Sequence, residues 1–268
     1  MERTVQSTKQ WTESKAVRKA RKAREKAGLS YPQTNASNKN YVVCLKWGTK
    51  YGPEYVNKLY NMVSKHLTIE HEFVCFTDNK SGIDKRIRTE PLPNIPVEGW
   101  WYKPFFVGGE LPIQGTILFF DLDVIIFKNI DQLFSHAPGK FCIIRDFNRS
   151  IRPKWDKVNS SVFRVNTGQY QSQWQTFKEN PRLHTARNRG DQDWMYKNIK
   201  DHEFWPDQWI MSYKWEMRDR NDLKLKNGKR NFIVDKPPEI KPQTCIAVFH
   251  GDPNPADAND SWVRKHWA

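Results

Sequence analysis

The sequence predicts an α/β domain on a mixed, mainly parallel central sheet, and three stretches carry that expectation. YVVCLKWG (41–48) and EFVCFTDN (72–79) are apolar runs of strand character. Between them, from Glu54 to His66, Val56, Leu59, Tyr60 and Val63 recur at helical spacing. Strand, helix and strand in this order make a βαβ unit, with parallel strands and ligands beyond their carboxyl ends. The third stretch is TILFFDLDVIIFKNIDQLF (116–134), in which an apolar run stops at Asp121-Leu122-Asp123 and resumes at Val124. A run this apolar suits a strand covered on both faces.

With 268 residues, 12 Trp and 15 Phe, the chain can bury a sizeable core. The expected division is a basic arm over 1–39 and one domain over 40–268. The arm holds ten Lys/Arg against three Glu, a net +7 that is half of the chain's +14. Within it TESKAVRKARKAREKAG (12–28) has helix formers but almost no apolar face to bury, so a marginal helix or a disordered arm is expected. A basic balance suits a phosphate-rich ligand, nucleic acid or another anionic partner, and equally plain solubility. Cys44, Cys75, Cys142 and Cys245 are scattered through apolar runs without metal-site spacing, which suits buried reduced thiols. No run reaches the roughly 18 apolar residues of a membrane span. The expectation is a soluble, cytoplasmic protein with no transmembrane segment.

In a strand, residues two apart share a face, so Asp121 and Asp123 are expected to converge at the strand's end. Two hard oxygen donors there suit Mg²⁺ or Mn²⁺ carrying a phosphate. Two other readings stay open. The aspartates can cap the next turn. They can also be a D-x-D-x-[TV] signature of haloacid-dehalogenase-like phosphatases with Asp121 as nucleophile, although Ile125 stands where that pattern has Thr or Val.

The string FFDLDVIIFKNIDQLF resembles the metal-binding segment of GT-A glycosyltransferases, family 8 in particular, and further segments resemble that family in its order. The resemblance implies a GT-A (Rossmann-like nucleotide-diphospho-sugar transferase) fold. It implies that Gly48 and Tyr51, after the first strand, and Thr77 and Asp78, after the second, hold a uridine. In GWWYKPFFVGG (99–109) it places Lys103 near the donor phosphates, with Trp100, Trp101 and Tyr102 as a sugar floor or as core. VNSSVFRVNTGQY (158–170) is similar to the segment lining the sugar pocket, with Asn159, Ser160 and Ser161 as counterparts; Ser161 replaces a glycine.

RNRGDQDWMY (187–196) resembles the family's D-Q-D motif. It implies a helix from Asp191, with Asp191 and Gln192 beside the donor's anomeric carbon. CIAVFHGDPNPAD (245–257) resembles the closing motif and implies His250 as third metal ligand after Asp121 and Asp123, with Leu122 and Gly251 in the donor site. Asn254 stands where the family has a lysine, leaving Lys103, Arg264 or Lys265 to neutralise the diphosphate. FWPDQWIMSYKW (204–215) is similar to the family's late core strand, and LKLKNGKRNFIV (223–234) reads as a basic hairpin turning at Asn227-Gly228.

The implied activity is Mn²⁺- or Mg²⁺-dependent transfer of a hexose from a UDP-sugar donor, UDP-glucose or UDP-galactose, to an acceptor hydroxyl, with retention. The acceptor, a glycan or another hydroxyl compound, stays open. The alternatives are the phosphatase, a basic nucleic-acid-binding module without catalysis, and a glycosyltransferase whose basic arm brings it to a nucleic-acid or anionic glycan acceptor.

Overall fold

The computed structural model describes residues 39–219 and 236–268, with the backbone of two short strands at 223–226 and 229–232. The arm expected over 1–39, but for Lys39, and the Asn227-Gly228 turn lie outside the described residues.

β1 (Asn40–Lys46) and β2 (Glu72–Thr77) pair in parallel, joined by α1 (Pro53–His66). Pro53 opens α1, where its missing N–H costs nothing. Tyr55, Val56, Leu59, Met62 and Val63 form its buried face. β3 (Arg88–Pro91) extends the sheet on one side. The chain then crosses back through α2 (Lys103–Gly108), and β4 (Thr116–Phe120) pairs in parallel with the other side of β1.

β5 (Val124–Ile126) leaves this sheet, and α3 (Gln132–Ser135) follows. β6 (Cys142–Arg145) and β7 (Val158–Asn166) come next, with β7 antiparallel to both β4 and β6. α4 (Gln171–Glu179), α5 (Pro181–Arg187) and α6 (Asp191–Asn198) lead to β8 (Glu203–Phe204) at the far edge. The order of the seven-stranded sheet is β3-β2-β1-β4-β7-β6-β8.

Both faces of this sheet are covered, and side chains alternate between them. Leu118 and Phe120 of β4 pack with α1 in one cluster, while Ile117 and Phe119 pack with α2, α4 and α6 in the other. This is why β4 has no polar face in the sequence. The chain also builds a second sheet that sequence reading had not separated. β9 (Ile210–Ser212), β12 (Ile246–Val248) and β5 lie in the order β5-β12-β9. Between β9 and β12, β10 (Leu223–Lys226) and β11 (Lys229–Phe232) form the expected antiparallel hairpin, and α7 (Ser261–His266) follows β12.

Buried Arg149 holds β9 in place. Its guanidinium donates to the Ile210 carbonyl at 2.8 Å and pairs with Glu216 at 2.8 Å. The four cysteines are buried and free. Among the described residues no helix is long and apolar enough to cross a membrane.

From β1 the sheet grows one way to β2 and β3, then the other way to β4. A crevice therefore opens between the carboxyl ends of β1 and β4, where such sheets bind ligands.

Candidate active site

A pocket of about 660 Å³ occupies that crevice. Leu45 and Trp47 line it from the end of β1, and Asp121 to Asp123 from the end of β4. β4 stops at Phe120, so Asp121-Leu122-Asp123 is a turn and not, as expected, the last residues of a strand. The reason is that β4 and β5 belong to different sheets, and the chain must bend to pass between them. The backbone is gripped from both sides. Asp121 N–H donates to the Ser161 carbonyl on β7 at 2.8 Å, and Phe249 N–H, just past β12, donates to the Asp123 carbonyl at 2.9 Å. Convergence of the carboxylates comes from this bridging turn, with Leu122 buried beneath it.

Behind Asp121 lies a closed knot of charge. Lys103, only 4% exposed, places Nζ 2.7 Å from Asp121 Oδ1, 3.5 Å from Asp191 Oδ2 and 3.1 Å from Ser160 Oγ. Ser160 Oγ–H donates in turn to Asp191 Oδ2 at 2.5 Å. Burial alone would lower the Lys103 pKa, but Asp121 and Asp191 outweigh it and raise the ammonium's pKa above the ordinary lysine value. Burial raises Asp191's carboxyl, and Lys103 opposes that. Asn159, Ser160 and Ser161 sit inside β7, where a shift in the β6–β7 register turns this polar run toward the pocket.

Asp123 is answered differently. Its Oδ2 accepts from the Tyr51 hydroxyl at 3.0 Å, and that hydroxyl also reaches Asn254 Oδ1 at 3.2 Å. Burial first, and the charge of Asp121 second, push the Asp123 carboxyl up to about 6, against the pull of Tyr51, Lys103 and Lys50. Burial and Asp123's charge also raise the Tyr51 hydroxyl well above its ordinary value.

His250 lines the same pocket, stacked on Phe147 with ring centres 5.1 Å apart. Its Nε2 faces Ser212 Oγ at 2.7 Å. Gly251, at φ +75°, turns the chain where a side chain would crowd Lys214 Nζ at 3.1 Å. Among the described residues no three His, Cys, Asp or Glu side chains gather closely enough to hold a metal ion. The donor chemistry nonetheless fits a divalent cation at Asp121 and Asp123: two carboxylates crowd together, and one is pushed toward neutrality for want of positive charge. The structure brings this pair together, while His250 stands at the pocket turned to Ser212.

Of the remaining residues the sequence singled out, Tyr51, Lys103, Asn159, Ser160, Asp191, Gln192 and Gly251 line the pocket. Gly48, Thr77 and Asp78 are outside its lining but joined to it. Gly48, at φ +61°, donates its N–H to Asp78 Oδ2 at 2.9 Å, which ties the loop after β1 to the end of β2. α6 begins at Asp191 as expected, with Trp194 and Met195 in the core and Asp193 in the first turn. Of the three aromatics before Lys103, Tyr102 is buried, Trp101 stacks near Phe177, and Trp100 lines the pocket.

Sequence reasoning missed Trp47, Asp146, Trp155, Lys157 and Arg189, which also line the pocket. Trp155 and Lys157, set among Lys154 and Asp156, carried a signal as an aromatic within charge; Trp47 carried only its place after a strand.

No family model matches the chain, and no curated protein matches it in sequence. Solved structures do. The galactosyltransferase LgtC in complex with donor and acceptor sugar analogues aligns with TM-score 0.54 at 12% identity, over 84% of this chain and 93% of that one. The fold is that of the GT-A glycosyltransferases. An active-site mutant of LgtC aligns equally well, at 10% identity. The glycosyltransferase GlyE of Streptococcus pneumoniae aligns with TM-score 0.57 at 13% identity, over 85% of this chain and 60% of GlyE, so this chain spans about three fifths of that protein's length.

Proposed function

We propose that this chain is a metal-dependent glycosyltransferase that moves a hexose, glucose or galactose, from a UDP-sugar to an acceptor hydroxyl with retention of configuration. The observation that carries the reading is the Asp121–Asp123 pair at the switch point of the sheet, one carboxylate closed by Lys103 and the other pushed up to about 6. A phosphate-bearing donor and its cation suit that place. The fold shared with a galactosyltransferase solved with sugar analogues supports the same reading.

Asp121 and Asp123 would hold Mn²⁺ or Mg²⁺, with His250 as third ligand once its ring leaves Ser212. When bound, the cation supplies Lewis-acid stabilisation of the leaving diphosphate. The chain's own residues do the rest. The linked loops at Gly48, Tyr51, Thr77 and Asp78 receive the uridine. Asn159 and Ser160 line the sugar's side, and Gly251 permits close backbone approach. Asp191 and Gln192, at the start of α6, orient the sugar and face the positive charge that develops at its anomeric carbon.

Lys103 is placed to fix Asp121 and Asp191 relative to each other, in addition to any contact with phosphate. Arg264 and Lys265, on α7, do not line the pocket, whereas Lys50 does, and its charge reaches Asp123. Lys50 is therefore the better cation for the diphosphate. In the phosphatase reading Asp121 is a nucleophile and not a metal ligand for a UDP-sugar, and the experiment below separates the two.

The experiment is UDP release from a panel of UDP-sugars with Mn²⁺ and with EDTA. Release from UDP-glucose or UDP-galactose that requires the metal supports the reading; cleavage of an aryl phosphate with no UDP release refutes it.

A further inference from the structure

Beside the pocket lies a surface that donor chemistry does not use. Trp47 and Trp100, 37% and 56% exposed, are two of the three exposed large hydrophobic side chains among the described residues, and both line the pocket. Trp155 is there too, its indole N–H donated to Asp146 Oδ1 at 2.8 Å and its ring 5.3 Å from the Arg152 guanidinium.

From Trp155 a band of cations runs outward along α6. Lys157 and Lys200 place their ammonium groups 4.7 and 4.8 Å from the Tyr196 ring centre. Lys197 donates to the Arg187 carbonyl at 3.3 Å and to Asn188 Oδ1 at 2.7 Å, and Arg189 returns the band to the pocket lining. Residues 152–157 and 182–189 together hold six Lys/Arg and one acidic residue, Asp156, which accepts from the Tyr196 hydroxyl at 2.9 Å.

Two of the pocket's own carboxylates are neutralised within it, and two more are held by hydrogen bonds. Asp121 and Asp191 are answered by Lys103, Asp146 accepts from Trp155 and from Asn148 N–H, and Asp193 accepts from the Arg189 N–H. Exposed aromatic faces beside a row of cations are the two elements by which single strands are bound: phosphates on the cations, bases on the rings. An acidic glycan would use the same cations and can lay its sugar faces on the rings, so it is the competitor that the test includes.

We infer that this face binds a single-stranded nucleic acid and that the strand is the acceptor presented to the pocket; the second half rests on the glycosyltransferase reading, the first does not. A strand crossing the band can turn a nucleotide into the pocket without the cost of opening a duplex. A hydroxyl oxygen of that nucleotide bonds to the sugar's anomeric carbon as the carbon–oxygen bond to the diphosphate breaks. The diphosphate leaves with the electron pair and the hydroxyl's proton.

The test uses the full chain without donor and fluorescent single-stranded ribo- and deoxyribo-oligonucleotides, read by anisotropy across a salt series. Affinity should fall as salt rises. The triple variant Arg152→Glu, Arg187→Glu, Lys200→Glu should bind at least about tenfold more weakly and lower the salt slope by about 2. Trp100→Ala should bind about 5- to 100-fold more weakly. No binding overturns the inference, as does binding that neither variant changes, which would place it in residues 1–39. Competition by a sulfated glycan as strong as by oligonucleotide overturns it too.

Mass spectrometry of the oligonucleotide after incubation with Mn²⁺ and a UDP-sugar then reads the second half. A gain of one hexose is expected, and binding without any gain overturns the strand as acceptor. UDP release without a strand is read separately, so failure of the donor reading is distinguishable from failure of this one.

Discussion

On the wall of the pocket that the large sheet builds, Asp121 and Asp191 meet a buried ammonium, Lys103 Nζ, at 2.7 and 3.5 Å, and Ser160 closes the ring. On the wall shared with the small sheet, Asp123 meets only the neutral hydroxyl of Tyr51 at 3.0 Å, and His250 faces Ser212. The two aspartates are separated by one residue, yet one is neutralised within the protein and the other is left short of positive charge. The difference teaches a division of labour. A buried pair held from several directions fixes geometry, because removing one partner leaves an uncompensated charge. A crowded carboxylate with a weak donor keeps its affinity for a cation that arrives from outside.

Removing Lys103 should break the comparison most severely. Lys103→Met leaves Asp121 and Asp191 facing each other without a cation, and a loss of about 3–5 kcal/mol in unfolding free energy is expected from chemical denaturation. A loss under about 1 kcal/mol would mean that the knot does not hold this wall.

The next effect is on pH. Asp123's carboxyl is raised in the folded protein to about 6, from 3.8. Between those values the folded state keeps a proton that the unfolded state has released, so metal-free stability should fall as pH rises from about 4 to about 6, by on the order of 3 kcal/mol. It should be flat above that window as far as this group decides. Saturating Mn²⁺ binds the ionised form and should restore stability above pH 6. Thermal unfolding across pH, with and without Mn²⁺, reads both arms, and a metal-free profile that rises through the window would contradict the assignment.

Tyr51→Phe is smaller. It removes the hydroxyl that donates to Asp123 and Asn254, at a cost of about 1 kcal/mol. It should move the Asp123 titration further upward, visible by NMR of the carboxyl carbon; a downward move would contradict the hydrogen bond's direction. Ser212→Ala should cost a similar amount, about 0.5–1.5 kcal/mol, and it should tighten Mn²⁺ binding by releasing His250 Nε2. Unchanged or weaker Mn²⁺ binding would speak against His250 as a ligand.

The wall built on the large sheet was the legible one. β1, α1, β2 and β4 announce themselves because a doubly covered parallel strand must be apolar throughout and a one-faced helix must repeat its apolar positions. Asp191 at a helix start was legible for a local reason too, since acidic residues belong in a first turn. What escaped was non-local. Nothing in VIIFK says that β5 leaves the sheet of β4 to pair with β12, so Asp121 to Asp123 read as a strand end when they are a bridge between sheets. The pairing of Lys103 with Asp121 and Asp191 escaped because those partners lie 18 and 88 positions away. His250 was singled out by order of motifs and does line the pocket, but its Nε2 faces Ser212 on a neighbouring strand.

The central claim is that the Asp121–Asp123 turn holds a cation for a nucleotide-sugar. It is tested most directly by UDP release from UDP-glucose and UDP-galactose with Mn²⁺ and with EDTA, beside Asp123→Ala. The account predicts release that EDTA abolishes and that Asp123→Ala lowers by about 10³-fold, the size of the several kcal/mol a metal contributes to such a step. Release that persists in EDTA, or that survives Asp123→Ala, would contradict it.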